Sequence, residues 1–146
     1  MAYFAPDDSL VNAMCAASKR GVEVKLIIPA KCDLPILTAA ARSFYETLLR
    51  AGVQVYERQH VILHSKSMVI DGTLSVVGST NLDYRSIEYN CELSIAIRSP
   101  EFGEKMEALF ANDMMYSKQI RLEQWRRRPV LDRFGQWAVS RARYLL

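Results

Sequence analysis

The first 58 residues alternate between two hydrophobic periodicities. Apolar residues recur every three to four positions after Asp7 and again after Pro35, and this spacing predicts two helices, the first of them capped near Asp7. Each predicted helix is followed by a short apolar run, residues 22–28 and residues 53–56, of the kind that forms a strand. Helices and strands that alternate at these lengths predict an α/β fold.

A hairpin is predicted between residues 64 and 78. Residues 65–70 and 74–78 are strand-like runs, and Asp71 with Gly72 between them is a pair that tight hairpin turns favour. Because side chains alternate along a strand, one face of the first strand carries four side chains close to each other. These four residues are His64, Lys66, Met68 and Ile70.

Beyond the hairpin, the pattern predicts one more strand and one more helix before the composition changes. Residues 92–97 alternate as a strand, and Ser99 with Pro100 is typical of the start of a helix. We therefore predict an α/β domain over residues 1–116, followed by a basic, amphipathic helical segment over residues 117–146.

The C-terminal segment carries most of the positive charge. The chain has a net charge of +3, and residues 117–146 hold eight basic residues against two acidic ones, which leaves residues 1–116 net acidic. The basic residues are Lys118, Arg121, Arg126, Arg127, Arg128, Arg133, Arg141 and Arg143.

On a helix, six apolar residues of this segment fall on one side, namely Val130, Leu131, Phe134, Trp137, Ala138 and Leu145. With Trp125 and Tyr144 among the arginines, this layout predicts a helix that lies in an anionic membrane surface, although Arg141 falls inside the apolar sector. Packing of the helix on its own domain is an equally good interpretation of the composition.

The overall composition is that of a single globular domain. The chain has 146 residues, half of them apolar, which is enough to bury a core. Its three cysteines, Cys15, Cys32 and Cys91, lack a metal-binding spacing, so we predict free thiols, no metal and no cofactor. No apolar run approaches the roughly 18 residues of a membrane span, and the first residues lack the layout of a signal peptide.

The predicted hairpin gathers groups suited to phosphodiester chemistry. His64 supplies an imidazole that can act as a nucleophile or an acid near neutral pH, and Lys66 supplies a cation beside it. Ser79 and Asn81, just past the second strand, add short polar groups that can hold anionic oxygens. Asp71 lies at the turn, where its role in the hairpin is sufficient to explain it.

The order of these residues, H-x-K-x4-D continued by G-S-x-N, resembles the motif of the phospholipase D superfamily. Five stretches distributed over residues 3–129 resemble the C-terminal half of bacterial cardiolipin synthases of the phospholipase D type. They are YFAPDDSLVNAM, RGVEVKLIIP, FYETLLRAGVQVYE, GSTNLDYRS and EQWRRRP. The resemblance implies a mixed β-sheet between helices and a phosphatidyltransferase that converts two phosphatidylglycerols into cardiolipin and glycerol.

The resemblance also implies roles for individual residues. The implied catalytic set is His64, Lys66, Asp71 and Glu92, in which Asp71 buttresses the site. The carboxylate of Glu92 would orient the imidazole of His64 and fix its tautomer. The implied phosphate-binding set is Lys66, Ser79, Asn81 and Arg85. For Arg85, a structural ion pair is an equally good interpretation.

Two-motif relatives pack two halves around one active site, whereas this chain has one motif. We therefore expect a second phospholipase D-like half, either the missing N-terminal half of a longer enzyme or a second copy of the chain, and the match to a C-terminal half favours the former. One histidine would form a phosphohistidine and the other would protonate the departing alcohol, so an isolated monomer is expected to be inactive. The expected setting is peripheral, at a bacterial cell membrane.

Two other functions stay open. A single-motif phosphodiesterase or nuclease, acting as a homodimer, would use the same His64 and Lys66. A nuclease needs a basic groove, and residues 1–116 are net acidic, so nucleic acid is not the expected partner. A non-catalytic membrane-binding module would depend on residues 117–146 alone and would leave the motif without a purpose.

Overall fold

The computed structural model describes the backbone of residues 1–141 and the side chains of residues 1–139. The first part of the chain forms β1 (Phe4–Ala5), α1 (Asp8–Lys19), β2 (Lys25–Pro29), α2 (Pro35–Ser43), α3 (Tyr45–Arg50) and β3 (Gln54–Arg58). The middle part forms β4 (Ser67–Ile70), β5 (Leu74–Gly78), β6 (Leu82–Asp83), α4 (Tyr84–Glu88) and β7 (Ser94–Arg98). The last part forms α5 (Pro100–Met115), β8 (Ser117–Ile120), α6 (Leu122–Arg126) and α7 (Val130–Arg141). The predicted α/β class is confirmed.

Parallel and antiparallel strand pairs both occur. β2 pairs parallel with β3, and β3 pairs antiparallel with β8. β4, β5 and β7 form an antiparallel sheet, and the short β1 pairs parallel with β6. The pairing is mixed, as predicted, and within the described residues it divides the strands among three hydrogen-bonded sheets.

The β4–β5 hairpin turns at Asp71 and Gly72, as predicted. Their φ angles are +50° and +60°, which are typical of the two central residues of a type I′ turn. The N–H of Thr73 closes the turn by donating to the carbonyl oxygen of Ile70 at 3.1 Å. Because aspartate and glycine tolerate the left-handed region better than most residues, this pair fixes the register of the hairpin that follows Lys66.

Side chains cap two helices at the predicted positions. The Asp7 carboxylate accepts a hydrogen bond from the N–H of Leu10 at 3.0 Å and caps α1. The Ser99 hydroxyl accepts one from the N–H of Phe102 at 3.2 Å and caps α5. Each cap satisfies an N–H group that lacks an intrahelical partner. The second predicted helix is interrupted at the buried Phe44, which ends α2 and precedes α3.

The main core lies around the β2–β3–β8 sheet. Its most deeply buried side chains are those of Phe4, Ile28, Tyr45, Leu48, Val53 and Val55. Glu57 of β3 is also buried, and its carboxylate accepts hydrogen bonds from the Arg42 guanidinium at 2.9 and 3.2 Å and from the Tyr45 hydroxyl at 3.0 Å. Since a buried carboxylate is stable only when paired, this cluster ties α2 and α3 to the sheet.

The C-terminal segment begins differently from the predicted helix. Residues 117–120 form β8, because their backbone groups pair with β3 and complete the edge of the core sheet. α6 and α7 follow, and α7 packs on α2, where Val139 contacts the cluster of Leu37 and Ala40. The structure thus shows α7 packed on its own domain, and the division at residue 116 stays a prediction.

The predicted apolar side of α7 faces away from the domain. The exposed fractions are 74% for Val130, 84% for Leu131, 66% for Phe134 and 55% for Trp137. The predictions for Arg143, Tyr144 and Leu145 concern residues outside the described part of the chain, and the side chain of Arg141 is not described either. Within the described part of the chain, no helix is both long and apolar enough to cross a bilayer.

Candidate active site

His64 and Lys66 lie immediately before β4. The carbonyl oxygen of Lys66 accepts a hydrogen bond from the N–H of Gly78 at 3.1 Å, so the hairpin pairing extends one residue beyond β4 and fixes the backbone of the lysine. The Lys66 ammonium donates to the carbonyl oxygen of His64 at 2.9 Å. The His64 side chain is exposed. The structure therefore brings an imidazole and an ammonium group to one end of the hairpin.

The residues that follow β5 add a carboxylate to the same end of the sheet. The Glu92 carboxylate accepts hydrogen bonds from the Ser79 hydroxyl and from the Asn90 side-chain amide. The Ser79 hydroxyl in turn accepts a hydrogen bond from the N–H of Leu93 at 3.1 Å. The hydrogen bond from Ser79 is the main reason that the pKa of Glu92 lies below its usual range. Ser79 thus fixes an ionised Glu92 at the site.

Within the described residues, Glu92 makes no hydrogen bond to the His64 ring. The ring-orienting role of Glu92 therefore stays a prediction.

Position 78, just before Ser79, has no space for a side chain. A Cβ atom at this position would collide with the Leu93 carbonyl oxygen and with Ser94 on β7. The absence of a side chain lets β7 approach closely enough for the Ser79 N–H to donate to the Leu93 carbonyl oxygen at 2.9 Å.

Asn81 and Tyr3 join the site through the β1–β6 pair. The parallel register places Phe4 beside Leu82, so the residues just before these strands are also neighbours. The Tyr3 N–H donates to Oδ1 of Asn81 at 3.3 Å. The Tyr3 ring meets the His64 ring edge-to-face, with centroids 6.1 Å apart and planes at 84°. This ring contact is a direct constraint on the His64 side chain.

Asp33 extends this network from the loop before α2. Its two carboxylate oxygens accept the Tyr3 hydroxyl at 2.8 and 2.9 Å. This hydrogen bond is the main cause of a raised Tyr3 pKa, so Tyr3 stays a neutral donor. Sequence reasoning missed Tyr3 and Asp33, because a two-residue strand carries no periodicity that could reveal its pairing partner 78 residues away.

Lys66 is partly desolvated among carboxylates. Burial lowers the pKa of its ammonium group, while Glu92, Asp33 and Asp83 act in the opposite direction. Asp83 is itself buried and caps α4, where it accepts the N–H of Ser86 at 2.7 Å. A cation removed from water interacts more strongly with an anionic ligand than a solvated one does.

Two predicted site residues make no described side-chain contact with this cluster. Asp71 occupies the hairpin turn, about 16 Å from Lys66 at the usual rise of a strand, and the structure does not bring it to His64. Arg85 is exposed on α4 and forms no ion pair among the described residues. The cluster at the end of the hairpin therefore consists of His64, Lys66, Ser79, Asn81 and Glu92, with Tyr3 and Asp33 behind it.

The cysteines lie outside this cluster. Cys15 is buried, Cys32 is half-buried, Cys91 is exposed, and all three are free thiols. In residues 1–139, no three side chains of histidine, cysteine, aspartate or glutamate are grouped in a way that could hold a metal ion.

The fold is that of a phospholipase D-like domain. The crystal structure of Nuc from Salmonella typhimurium, a phospholipase D family member, matches 83% of this chain and 79% of Nuc with a TM-score of 0.71 and 24% identity. The phosphatidylserine synthase of Haemophilus influenzae Rd KW20 matches 99% of this chain and 40% of that protein with a TM-score of 0.65 and 15% identity.

Sequence comparison identifies the family. Residues 1–114 match the family described as cardiolipin synthase, PLD-like domain. Cardiolipin synthase A of Wigglesworthia glossinidia brevipalpis is 40% identical over 136 residues, and that of Escherichia coli O157:H7 is 40% identical over 134 residues. These matches cover 90% and 92% of this chain, and the chain spans 28% of the length of each relative. The chain belongs to the cardiolipin synthase family of phospholipase D-like domains, which confirms the family that the motif predicted.

Proposed function

We propose that this chain supplies one half of the active site of a cardiolipin synthase-type phosphatidyltransferase. The reaction converts two phosphatidylglycerols into cardiolipin and glycerol. The observation that carries this proposal is the grouping of the His64 imidazole, the Lys66 ammonium and the Ser79–Glu92 pair at one end of a hairpin, in a chain of this family. Transfer at a phosphodiester requires a nucleophile, an acid and a cation that offsets the phosphate charge. His64 can act as the nucleophile or the acid, and Lys66 supplies the cation.

The proposed reaction has two displacement steps. In the first step, one motif histidine attacks phosphorus, the bond from phosphorus to the departing glycerol oxygen breaks, and the other histidine gives its proton to that oxygen. A phosphatidyl group then remains on the first histidine. In the second step, a hydroxyl group of another phosphatidylglycerol loses its proton to the second histidine and attacks phosphorus, which frees the first histidine. His64 is one member of this pair.

The neighbours of His64 are suited to holding the phosphate. The Lys66 ammonium offsets the negative charge, and the Ser79 hydroxyl lies at the same end of the hairpin. Asn81 uses its amide oxygen to accept the Tyr3 N–H, which leaves its amide nitrogen to donate to a phosphate oxygen. We assign to Glu92 the role of orienting the His64 imidazole. The Glu92 carboxylate raises the pKa of Lys66 electrostatically, which supports a position of Glu92 near the motif.

Arg85 and Asp71 are assigned supporting roles outside the cluster around His64. Arg85 is exposed and has no ion pair among the described residues, so its guanidinium is available to a lipid phosphate. Asp71 supports the hairpin through its turn geometry.

The second half of the active site is proposed to dock on the open face of the β4–β5–β7 sheet. The strand register places Met68, Val76 and Ala96 side by side on this face, with Ile70 in the next row. Met68 is 46% exposed and Ile70 is 42% exposed. Lys66 precedes Met68 by two residues, so strand alternation places it on the same face. An exposed apolar face beside half of a site is typical of a domain interface.

The membrane surface is the proposed source of the lipid substrate. The apolar side of α7 faces away from the protein, and Arg126 and Arg127 lie just before it in exposed positions. Apolar residues that enter the headgroup region and arginines that meet anionic lipids would hold the chain at a bacterial cell membrane as a peripheral protein.

Lipid product analysis of the purified chain in phosphatidylglycerol vesicles tests this proposal, with the mass of the chain measured in solution. Cardiolipin formed by a dimer and lost in His64→Ala would support two His64 residues in one site. A monomer is expected to show no turnover. Cardiolipin formation by a monomer would contradict the need for a second half, and cleavage of nucleic acid in the same preparation would support the single-motif nuclease instead.

A further inference from the structure

A second basic site lies between α2 and α7, outside the cluster around His64. The two helices, the end of α6 and residues 30–32 line a cavity of about 590 Å³ that is open to solvent. Its wall includes three basic residues, Lys31, Arg42 and Arg128, and one acidic residue, Asp132. Trp125 and Leu131 supply apolar surface.

Arg128 is the main reason to consider an anion as the ligand of this cavity. Its side chain is only 14% exposed. Its guanidinium donates to two neutral oxygens, that of the Gln136 side chain at 3.1 Å and that of the Trp125 backbone at 2.9 Å. It also lies over the Trp125 ring, 4.6 Å from the centroid. Burial lowers the pKa of Arg128, which reflects the cost of holding its charge away from water.

The carboxylate nearest to Arg128 is shared with two other arginines. Glu46 lies 3.9 Å from Arg128, but it also lies 2.8 Å from Arg50 and 3.6 Å from Arg126. One carboxylate therefore faces three guanidinium groups. Because a buried charge is costly without a matching partner, this arrangement leaves room for a further anion.

The other cations of the cavity differ in their pairing. Arg42 is bound to Glu57 through Nε and one terminal nitrogen, which satisfies most of its charge. Lys31 is exposed and makes no ion pair among the described residues. Asp132 opposes the positive charge, and it is the acidic residue of the wall. Arg128 and Lys31 are therefore the groups that remain to hold an anion.

The surroundings of the cavity favour a lipid. Leu131 lines the cavity and is also 84% exposed, so the apolar edge of α7 continues into the cavity. Phe134 and Trp137 extend this edge along the helix. A phosphate group in the cavity would thus have apolar surface beside it, where the acyl chains of its lipid could lie.

We propose that the cavity between α2 and α7 binds the phosphate diester of an anionic phospholipid, at a site separate from His64. Arg128 and Lys31 hold the phosphate, and the exposed edge of α7 contacts the acyl chains. The inference extends the membrane contact of the proposed function, but it does not depend on catalysis. In this proposal, the cavity is a second lipid site that holds the domain at the membrane surface while the site around His64 carries out the reaction.

Titration with a short-chain lipid tests the site directly. In the Trp137→Phe protein, Trp125 is the one remaining tryptophan, and its fluorescence is followed while dihexanoyl phosphatidylglycerol is added below its micelle concentration. We expect saturable binding that is at least about tenfold tighter than that of dihexanoyl phosphatidylcholine. Arg128→Gln and Lys31→Gln should each weaken it about tenfold, whereas His64→Ala should leave it unchanged.

Lys19→Gln is the matched control, since Lys19 is an exposed basic residue of α1 that does not line the cavity. It should change the affinity less than about twofold. Lys31→Gln keeps the test decisive if Arg128→Gln unfolds the protein, because the exposed Lys31 makes no described ion pair. Equal binding of the two lipids, equal losses in the Lys19 and Arg128 variants, or inorganic phosphate that binds as tightly as the lipid would overturn the proposal. Loss of binding in His64→Ala would place the lipid in the active site instead.

Discussion

Replacing Phe134 by serine is expected to weaken the binding of the chain to anionic vesicles about tenfold. Phe134 is 66% exposed, and its ring lies 5.8 Å from that of Trp137 on the apolar edge of α7. That exposure corresponds to about 130 Å² of a phenylalanine side chain. At about 25 cal/mol per Å², full immersion contributes about 3 kcal/mol. A helix in the interface immerses about half of this area, so the loss is about 1.5 kcal/mol, or about tenfold.

Sedimentation with vesicles of phosphatidylglycerol and phosphatidylcholine measures this effect. Leu109→Ser is the matched control, because Leu109 is a 60% exposed apolar residue of α5, away from α7. Its replacement should change binding less than about twofold, within the usual effect of a surface substitution. If Phe134→Ser binds as tightly as the unchanged chain, or if Leu109→Ser shows the same loss, α7 is not the membrane-binding element.

Three further substitutions test the proposed active site. Ser79→Ala should raise the pKa of Glu92 toward its ordinary 4.5 in an NMR titration, because the Ser79 hydrogen bond is the main cause of the lowered pKa. The stabilisation from this hydrogen bond is present above pH 4.5 and is lost as the pH falls through the lowered pKa of Glu92 in the folded protein. An unchanged pKa would contradict the Ser79 contact. Gly78→Ala should lower the free energy of unfolding by about 1–3 kcal/mol, because its Cβ collides with β7, and an unaltered melting curve would contradict this packing. Tyr3→Leu should shift the NMR signals of the His64 ring but not those of the other histidine, whereas equal shifts would indicate a general change of fold.

The hairpin and the helix caps could be predicted because local chemistry determines them. An aspartate and a glycine at the turn accept positive φ angles, and Asp7 and Ser99 cap helices with their own side chains. These features depend on residues that are close in sequence. The same holds for His64 and Lys66, which are two residues apart just before β4 and therefore lie at the same end of the hairpin.

The sequence did not reveal the contacts around the site that depend on pairing between strands far apart in the chain. β1 and β6 have two residues each, and their pairing brings Tyr3 to Asn81 across the whole domain. β8 forms because β3 offers an unpaired edge, although its own residues look like part of a basic helical segment. The hydrogen bonds of Glu92 also depend on how closely β7 approaches Gly78, which sequence spacing does not reveal.

A chimera tests the central claim most directly. In it, this chain replaces the matching region of the cardiolipin synthase A of Escherichia coli O157:H7, which supplies the rest of the enzyme. The account predicts cardiolipin formation from phosphatidylglycerol by the chimera, and its loss in the same chimera with His64→Ala. Equal cardiolipin formation by both folded chimeras would show that His64 takes no part in the reaction and would contradict the account.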